Sequence, residues 1–112
     1  MSETHIDEST FDRHAERALR ALESAVNDVD GVEADLESGI LTIEFVDGAR
    51  YVVNSHRAAR QIWMAAGAEA WHFDPDATGS RWIASKSGDE LFACLSARLG
   101  AKLGKPVSLP SS

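Results

Sequence analysis

The sequence holds a single cysteine, Cys94, among 112 residues, so it can form no internal disulfide. The same count removes a thiolate metal site and a Cys-x-x-Cys redox pair. Its uncharged apolar runs fall far short of the roughly 18 residues that span a bilayer. The opening Met1-Ser2-Glu3-Thr4-His5-Ile6-Asp7 is acidic and lacks the basic end and apolar stretch of a signal peptide. Nor is it the Arg-rich, acid-poor segment of an organelle transit peptide, so the expected location is the compartment of synthesis, a bacterial-type cytoplasm. Enzyme signatures are missing too: no Gly-x-x-x-x-Gly-Lys-Ser/Thr, Gly-x-Gly-x-x-Gly or Gly-x-Ser-x-Gly segment and no Cys/His nucleophile pair. The four histidines show no His-x-x-x-His, His-x-His or 2-His-1-carboxylate spacing, which argues against a tight catalytic iron centre. A chain this short also leaves little volume for a substrate pocket. The expected role is not enzymatic.

What is present is acid, unevenly placed. Composition is ordinary for one folded domain spanning residues 1–112, with 44% apolar and 26% charged residues. The net charge of −7 hides a polarity: Met1 to Gly48 carries 13 Asp/Glu against three Arg, and the remaining residues carry five acids against eight Lys/Arg. The first part is therefore −10 and the second +3. Such a chain repels nucleic-acid phosphate over half its length, and cations or basic protein surfaces suit it better.

Periodicity places those acids. A helix is expected from about Ser9 to Val29, with Ser9 as N-cap and Asp12 three residues on. Steps of about 100° per residue gather Phe11, Ala15, Ala18, Leu19, Leu22, Ala25, Val26 and Val29 into a core stripe. Asp12, Glu16 and Glu23 fall along one edge of it. In Val32 to Glu37 acids alternate with apolar residues, the period of a half-buried strand, so Glu33, Asp35 and Glu37 share its solvent face. Ile40–Val46, Arg50–Asn54, Gln61–Ala65, Trp71–Asp74 and Arg81–Ser85 follow as strands, with turn signals at Ser38-Gly39, Asp47-Gly48, Gly67 and Pro75–Gly79. Ser87-Gly88-Asp89-Glu90 reads as a capping box opening a second helix, on which Leu91, Phe92, Leu95, Leu99 and Leu103 repeat at helical spacing. Gly104-Lys105-Pro106 stops it, and Val107 and Leu109 can dock beyond. Cys94, amid this apolar repeat, reads as a buried small side chain. The expected fold is an α+β two-layer sandwich, an antiparallel sheet of about six strands with N- and C-terminal helices packed on one face.

The other sheet face is then open. If Ile62 and Met64 point at the helices, Gln61 and Trp63 point away. Two readings of Trp63 stay open: an anchor for a protein partner, or a ring packed flat against neighbours such as Asn54 and His72. Among the histidines, His5 lies in a frayed N-terminus and His14 is a solvated residue on the helix flank. His72 faces out with Trp63, and His56 follows Asn54 in a loop or strand end.

Asn54-Ser55-His56-Arg57-Ala58-Ala59-Arg60-Gln61-Ile62-Trp63, then Gly67 and Trp71-His72-Phe73-Asp74, resembles the signature of the frataxin family in its bacterial form. Gly39 to Phe45, Arg81-Trp82-Ile83 and Ser87-Gly88 agree, and the similarity runs from about Ser9 to Leu109. His56 stands where the family usually has Gln, and Ala58 where it has Pro. The resemblance implies weak binding of iron, Fe²⁺ or Fe³⁺, on an acidic ridge and no organic cofactor. By position the ridge would be Asp12, Glu16, Glu23, Asp28, Asp30, Glu33, Asp35 and Glu37. It further implies association with the cysteine desulfurase and the scaffold protein of iron–sulfur cluster assembly, as iron chaperone or regulator. Glu16, Glu23, Asp35 and Glu37 would meet the desulfurase. Trp63, with Asn54 and Gln61 beside it, would be a separate contact for the scaffold. A mainly monomeric protein with room for iron-dependent oligomers is implied, and a weak ferroxidase or iron-storage role is the alternative. Carboxylates are hard donors suited to such ions. One acid on a helix is simply solvated, but eight on adjoining elements repel one another, and crowding kept despite that repulsion suggests a use.

Overall fold

The computed structural model describes residues 7–110. A helix α1 (Glu8–Asn27) leads into six strands, β1 (Val32–Glu37), β2 (Ile40–Phe45), β3 (Arg50–His56), β4 (Gln61–Ala66), β5 (Glu69–Pro75) and β6 (Trp82–Ala84), and a second helix α2 (Leu91–Leu103) closes the order. All neighbouring strands pair antiparallel in the sequence order β1 to β6, so β1 and β6 are the edges. Sequence-adjacent pairing follows from the short turns. Ser38 and Gly39 both take positive φ, 53° and 78°, the pair of left-handed residues that a two-residue hairpin with matching twist requires. The longer β3–β4 connection is a 3₁₀ turn, Arg57–Ala59, ended by Arg60 in the left-handed region.

Both helices lie on one face of this sheet. Phe11, Leu19, Leu22 and Val26 of α1 meet Leu41, Ile43, Val53, Ile62 and Phe73 of the strands and Leu91, Leu95 and Leu99 of α2 in one core. Phe11 meets Trp82 edge-on, with ring centroids 5.9 Å apart. Beyond α2, Leu109 is buried and its N–H donates to Ser96 Oγ at 2.9 Å, so the tail docks as the apolar pattern indicates. No helix among the described residues is long and apolar enough to cross a membrane.

The helix boundaries differ from those expected. α1 starts one residue before Ser9, and its cap is Asp7, whose carboxylate accepts the Thr10 N–H at 2.8 Å. That bond and the helix N-terminus favour the ionised form, and the Asp7 carboxyl is held below its usual range chiefly by its bonds to Thr10. At the other end α1 stops at Asn27, so Val29 packs on the core from outside the helix. The expected capping box of α2 is replaced by Glu90 itself as N-cap, accepting from the Ala93 N–H at 3.1 Å, while Ser87 bonds Asp89. Glu90 is held there by a bridge to Ile83 of β6, a tertiary restraint invisible to local spacing. The sheet strands also extend further than expected at β3, β4 and β5, and β6 is shorter.

His14 is not simply solvated. It is half-buried and lies over Gly79, where an added Cβ would come within 2.2 Å of the imidazole Cγ. The β5–β6 loop passes under this ring, so the residue beneath has to be glycine, and Gly79 also sits at φ 72°.

Candidate functional site

The strand register decides which side chains share the bare face of the sheet. Leu41, Ile43 and Phe45 of β2 point to the helices, so Ile40, Thr42 and Glu44 point away. Across β1 and β2 the pairs Glu33–Glu44, Asp35–Thr42 and Glu37–Ile40 are therefore on that bare face. Continuing through β3, β4 and β5, Ile40 opposes Asn54, Asn54 opposes Trp63, and Trp63 opposes His72. Glu37, Ile40, Asn54, Trp63 and His72 thus form one row across five strands. At about 4.8 Å per strand, Glu37 and Trp63 are roughly 14 Å apart. The acidic strand and the tryptophan, expected as separate contacts, are two ends of one surface. Between them lie Ile40 and Asn54, and the neighbouring row on the same face runs from Asp35 through Thr42 and Val52 to Ala65.

Trp63 combines the two readings the sequence left open. Its ring is stacked between His56, with centroids 3.9 Å apart and planes 15° apart, and His72, at 4.3 Å and 12°. The indole N–H donates to Gln61 Oε1 at 2.8 Å, and the Gln61 amide donates in turn to Asp74 Oδ1 at 2.9 Å. The ring is packed flat, but between histidines, with Asn54 opposite it across the strand pair. It stays half-buried on an otherwise open face. A side chain fixed in this way loses little rotamer entropy when a partner covers it. His56, at the end of β3, buries its Nδ1 without a hydrogen-bond partner among the described residues.

The acids divide into paired and unpaired groups. Arg57 holds Asp12 bidentately, Nη2 to Oδ2 at 2.8 Å and Nε to Oδ1 at 3.2 Å. Its guanidinium charge is further stabilised by that contact, which raises the Arg57 pKa. Arg20 binds Glu16 at 2.8 Å. Glu23 serves the fold directly, because its carboxylate accepts the Leu36 N–H at 3.0 Å. Four residues on, the Asn27 side chain accepts from the Ala34 N–H at 2.8 Å and donates to the Ala34 carbonyl at 3.0 Å. β1 is an edge strand, and these two side chains of α1 occupy its outward backbone groups as a neighbouring strand would. Asp28, Asp30, Glu33, Asp35 and Glu37 have no Lys or Arg side-chain ion pair among the described residues, although Lys105 reaches the Asp30 carbonyl at 3.2 Å. The uncompensated charge therefore sits at the C-terminal end of α1 and on β1.

Glu44 lies outside the ridge expected from sequence and belongs beside it. Directly opposite Glu33, it forms a like-charge cross-strand pair, only loosely countered by Arg50 at 3.8 Å. Strand parity and the length of the Ser38-Gly39 hairpin contain that information. Among the described residues no three carboxylate, imidazole or thiol groups converge as a metal cage. An ion on this surface would meet one or two carboxylates and keep water on its remaining positions.

Two helices on one face of a six-strand antiparallel sheet, with the opposite face bare, is the layout of solved frataxins. The frataxin of Psychromonas ingrahamii superposes with a TM-score of 0.85 at 24% identity, covering 94% of this chain and 99% of that one. Trimeric yeast frataxin gives 0.63 at 21% identity, covering 94% of this chain and 85% of that one. A family model described as a frataxin-like domain matches residues 4–105, and the chain belongs to that family. It is similar to the iron–sulfur cluster assembly protein CyaY of Cupriavidus metallidurans, at 35% identity over 93% of this chain and 96% of that protein. The CyaY of Janthinobacterium sp. is 38% identical, over 91% of this chain and 95% of its own length.

Proposed function

We propose that this chain serves iron–sulfur cluster assembly as a non-catalytic, iron-handling adaptor. The relatives named above carry iron–sulfur cluster assembly in their names, and the continuous row from Glu37 to Trp63 is the observation that supports the adaptor reading. Iron is cargo here, held weakly by Asp28, Asp30, Glu33, Asp35 and Glu37, which have no arginine or lysine ion pair among the described residues. Glu44 joins them through its place opposite Glu33. Asp12 and Glu16, already paired with arginines, contribute less to metal than their position suggests. The same acids face a basic surface of the cysteine desulfurase, while Trp63, Asn54 and Gln61 meet the scaffold protein. Because both contacts lie on one face, a single assembly can cover both.

The test is a binding assay with the desulfurase and scaffold at low and high salt, with and without Fe²⁺. Asp35→Lys with Glu37→Lys should abolish desulfurase binding. Wild-type binding to the desulfurase should weaken strongly between ~0.05 and ~0.5 M salt as screening shortens. Trp63→Ala should weaken the scaffold complex and leave iron-induced NMR broadening at residues 28 to 37 intact. Charge reversal that leaves desulfurase binding unchanged would overturn the reading.

A further inference from the structure

The helix layer, on the far side of the sheet from the surface above, carries a half-open slot of about 230 Å³. Arg17, Ala18 and Ala21 of α1 face Gly79, Ser80, Trp82 and Phe92 across it. The wall is mostly carbon: two alanine methyls and two aromatic rings. Arg17 is the charged residue in that wall, and no acid lines it. Its guanidinium meets His14 Nδ1 at 3.3 Å, and no carboxylate pairs with it among the described residues. Arg13 and Arg20 lie one turn to either side on the same helix, although Glu16 compensates Arg20. The His14 imidazolium is disfavoured first by burial and then by Arg17 and Arg13, with Asp76 opposing. This corner is therefore locally positive on a chain of net charge −7. Trp82, which forms one wall, buries its indole N–H without an acceptor among the described residues.

An apolar slot with one uncompensated guanidinium at its wall complements a small amphipathic anion. A cavity of about 150 Å³ accommodates benzene, so this volume suits about nine heavy atoms. We propose that the slot binds a small organic acid, its carboxylate on Arg17 and its flat or short aliphatic body between Ala18, Ala21, Trp82 and Phe92. The site shares no residue with the iron and partner surface, so the two readings stand or fall separately.

Sodium benzoate is the probe, titrated to ~50 mM into the ¹⁵N-labelled full chain at constant ionic strength, with benzyl alcohol as its uncharged counterpart. Saturable shifts should appear at the amides of Ala18, Ala21, Gly79 and Phe92 and at the Trp82 indole N–H. Arg17→Gln, an exposed change that leaves the core untouched, should weaken binding about tenfold or more, and benzyl alcohol should bind the wild type about tenfold more weakly than benzoate. Ala21→Leu, which fills the slot, should remove the shifts while circular dichroism shows an unchanged fold. The proposal fails if no saturable shift occurs by ~50 mM, if shifts follow every arginine alike, or if Arg17→Gln binds as wild type does.

Discussion

Glu23→Ala should destabilise this protein where removal of other ridge acids does not. The Glu23 carboxylate accepts the Leu36 N–H at 3.0 Å, on the outer side of an edge strand where no other strand can replace it. A hydrogen bond to a charged acceptor contributes about 1.5–3 kcal/mol, and leaving a half-buried donor open costs a similar amount. Water can reach part of this position, and losing one negative charge from a crowded ridge acts in the opposite direction. The net loss should be about 1–2 kcal/mol, or roughly 4–8 °C in Tm for a chain of this size. Glu23→Gln keeps an oxygen where the N–H needs it and should cost under ~0.5 kcal/mol. Asn27→Ala removes both side-chain bonds to Ala34 and should resemble Glu23→Ala. Glu37→Ala breaks no such bond and should fall within ~0.5 kcal/mol of wild type, on the stabilising side. Urea unfolding followed by tryptophan fluorescence at pH 7 measures all four. Equal stability for Glu23→Ala and Glu37→Ala, or a Glu23→Gln as damaging as Glu23→Ala, would refute the strand-edge role.

Gly79→Ala should cost about 2–4 kcal/mol, because φ 72° disfavours a side chain by about 1–2 kcal/mol and the new methyl meets His14. In a His14→Ala background the cost should fall to about 1–2 kcal/mol; equal costs in both backgrounds would remove the contact from the explanation. Burial pushes the Cys94 thiol from 9.0 up to about 11, so the folded chain holds that proton more tightly than the unfolded one. The associated stability is complete below about pH 9 and is lost as the pH rises toward 11. At pH 8 a thiol reagent should label folded Cys94 about 100-fold more slowly than the urea-unfolded chain, and comparable rates would contradict the burial.

Much of this fold is written in local pattern. The 100° repeat of Phe11, Leu19, Leu22 and Val26 and the alternation in Val32 to Glu37 depend only on neighbours along the chain, and both elements stand where the pattern puts them. Turn residues with positive φ, Ser38-Gly39 above all, mark the hairpins because few other residues adopt that backbone. The family was legible for a similar reason, since Asn54, Gln61, Trp63 and Gly67 keep their spacing whatever surrounds them. Helix caps were less so. Asp7, Ser9, Ser87 and Glu90 are all competent cap residues, and only the approach of β6 to Glu90 selects one at α2.

The sequence by itself determined that the acids cluster on α1 and β1 and that Trp63 leaves the core face, because charge and parity are properties of the chain. Only the tertiary structure decided which acids remain uncompensated. Arg57 reaches Asp12 across 45 residues, and Glu23 bonds the strand edge 13 residues away. It also decided that Glu37 and Trp63 share one row and that Glu44 faces Glu33. Charge is fixed residue by residue, whereas the partner that compensates it is fixed by strand register and helix docking.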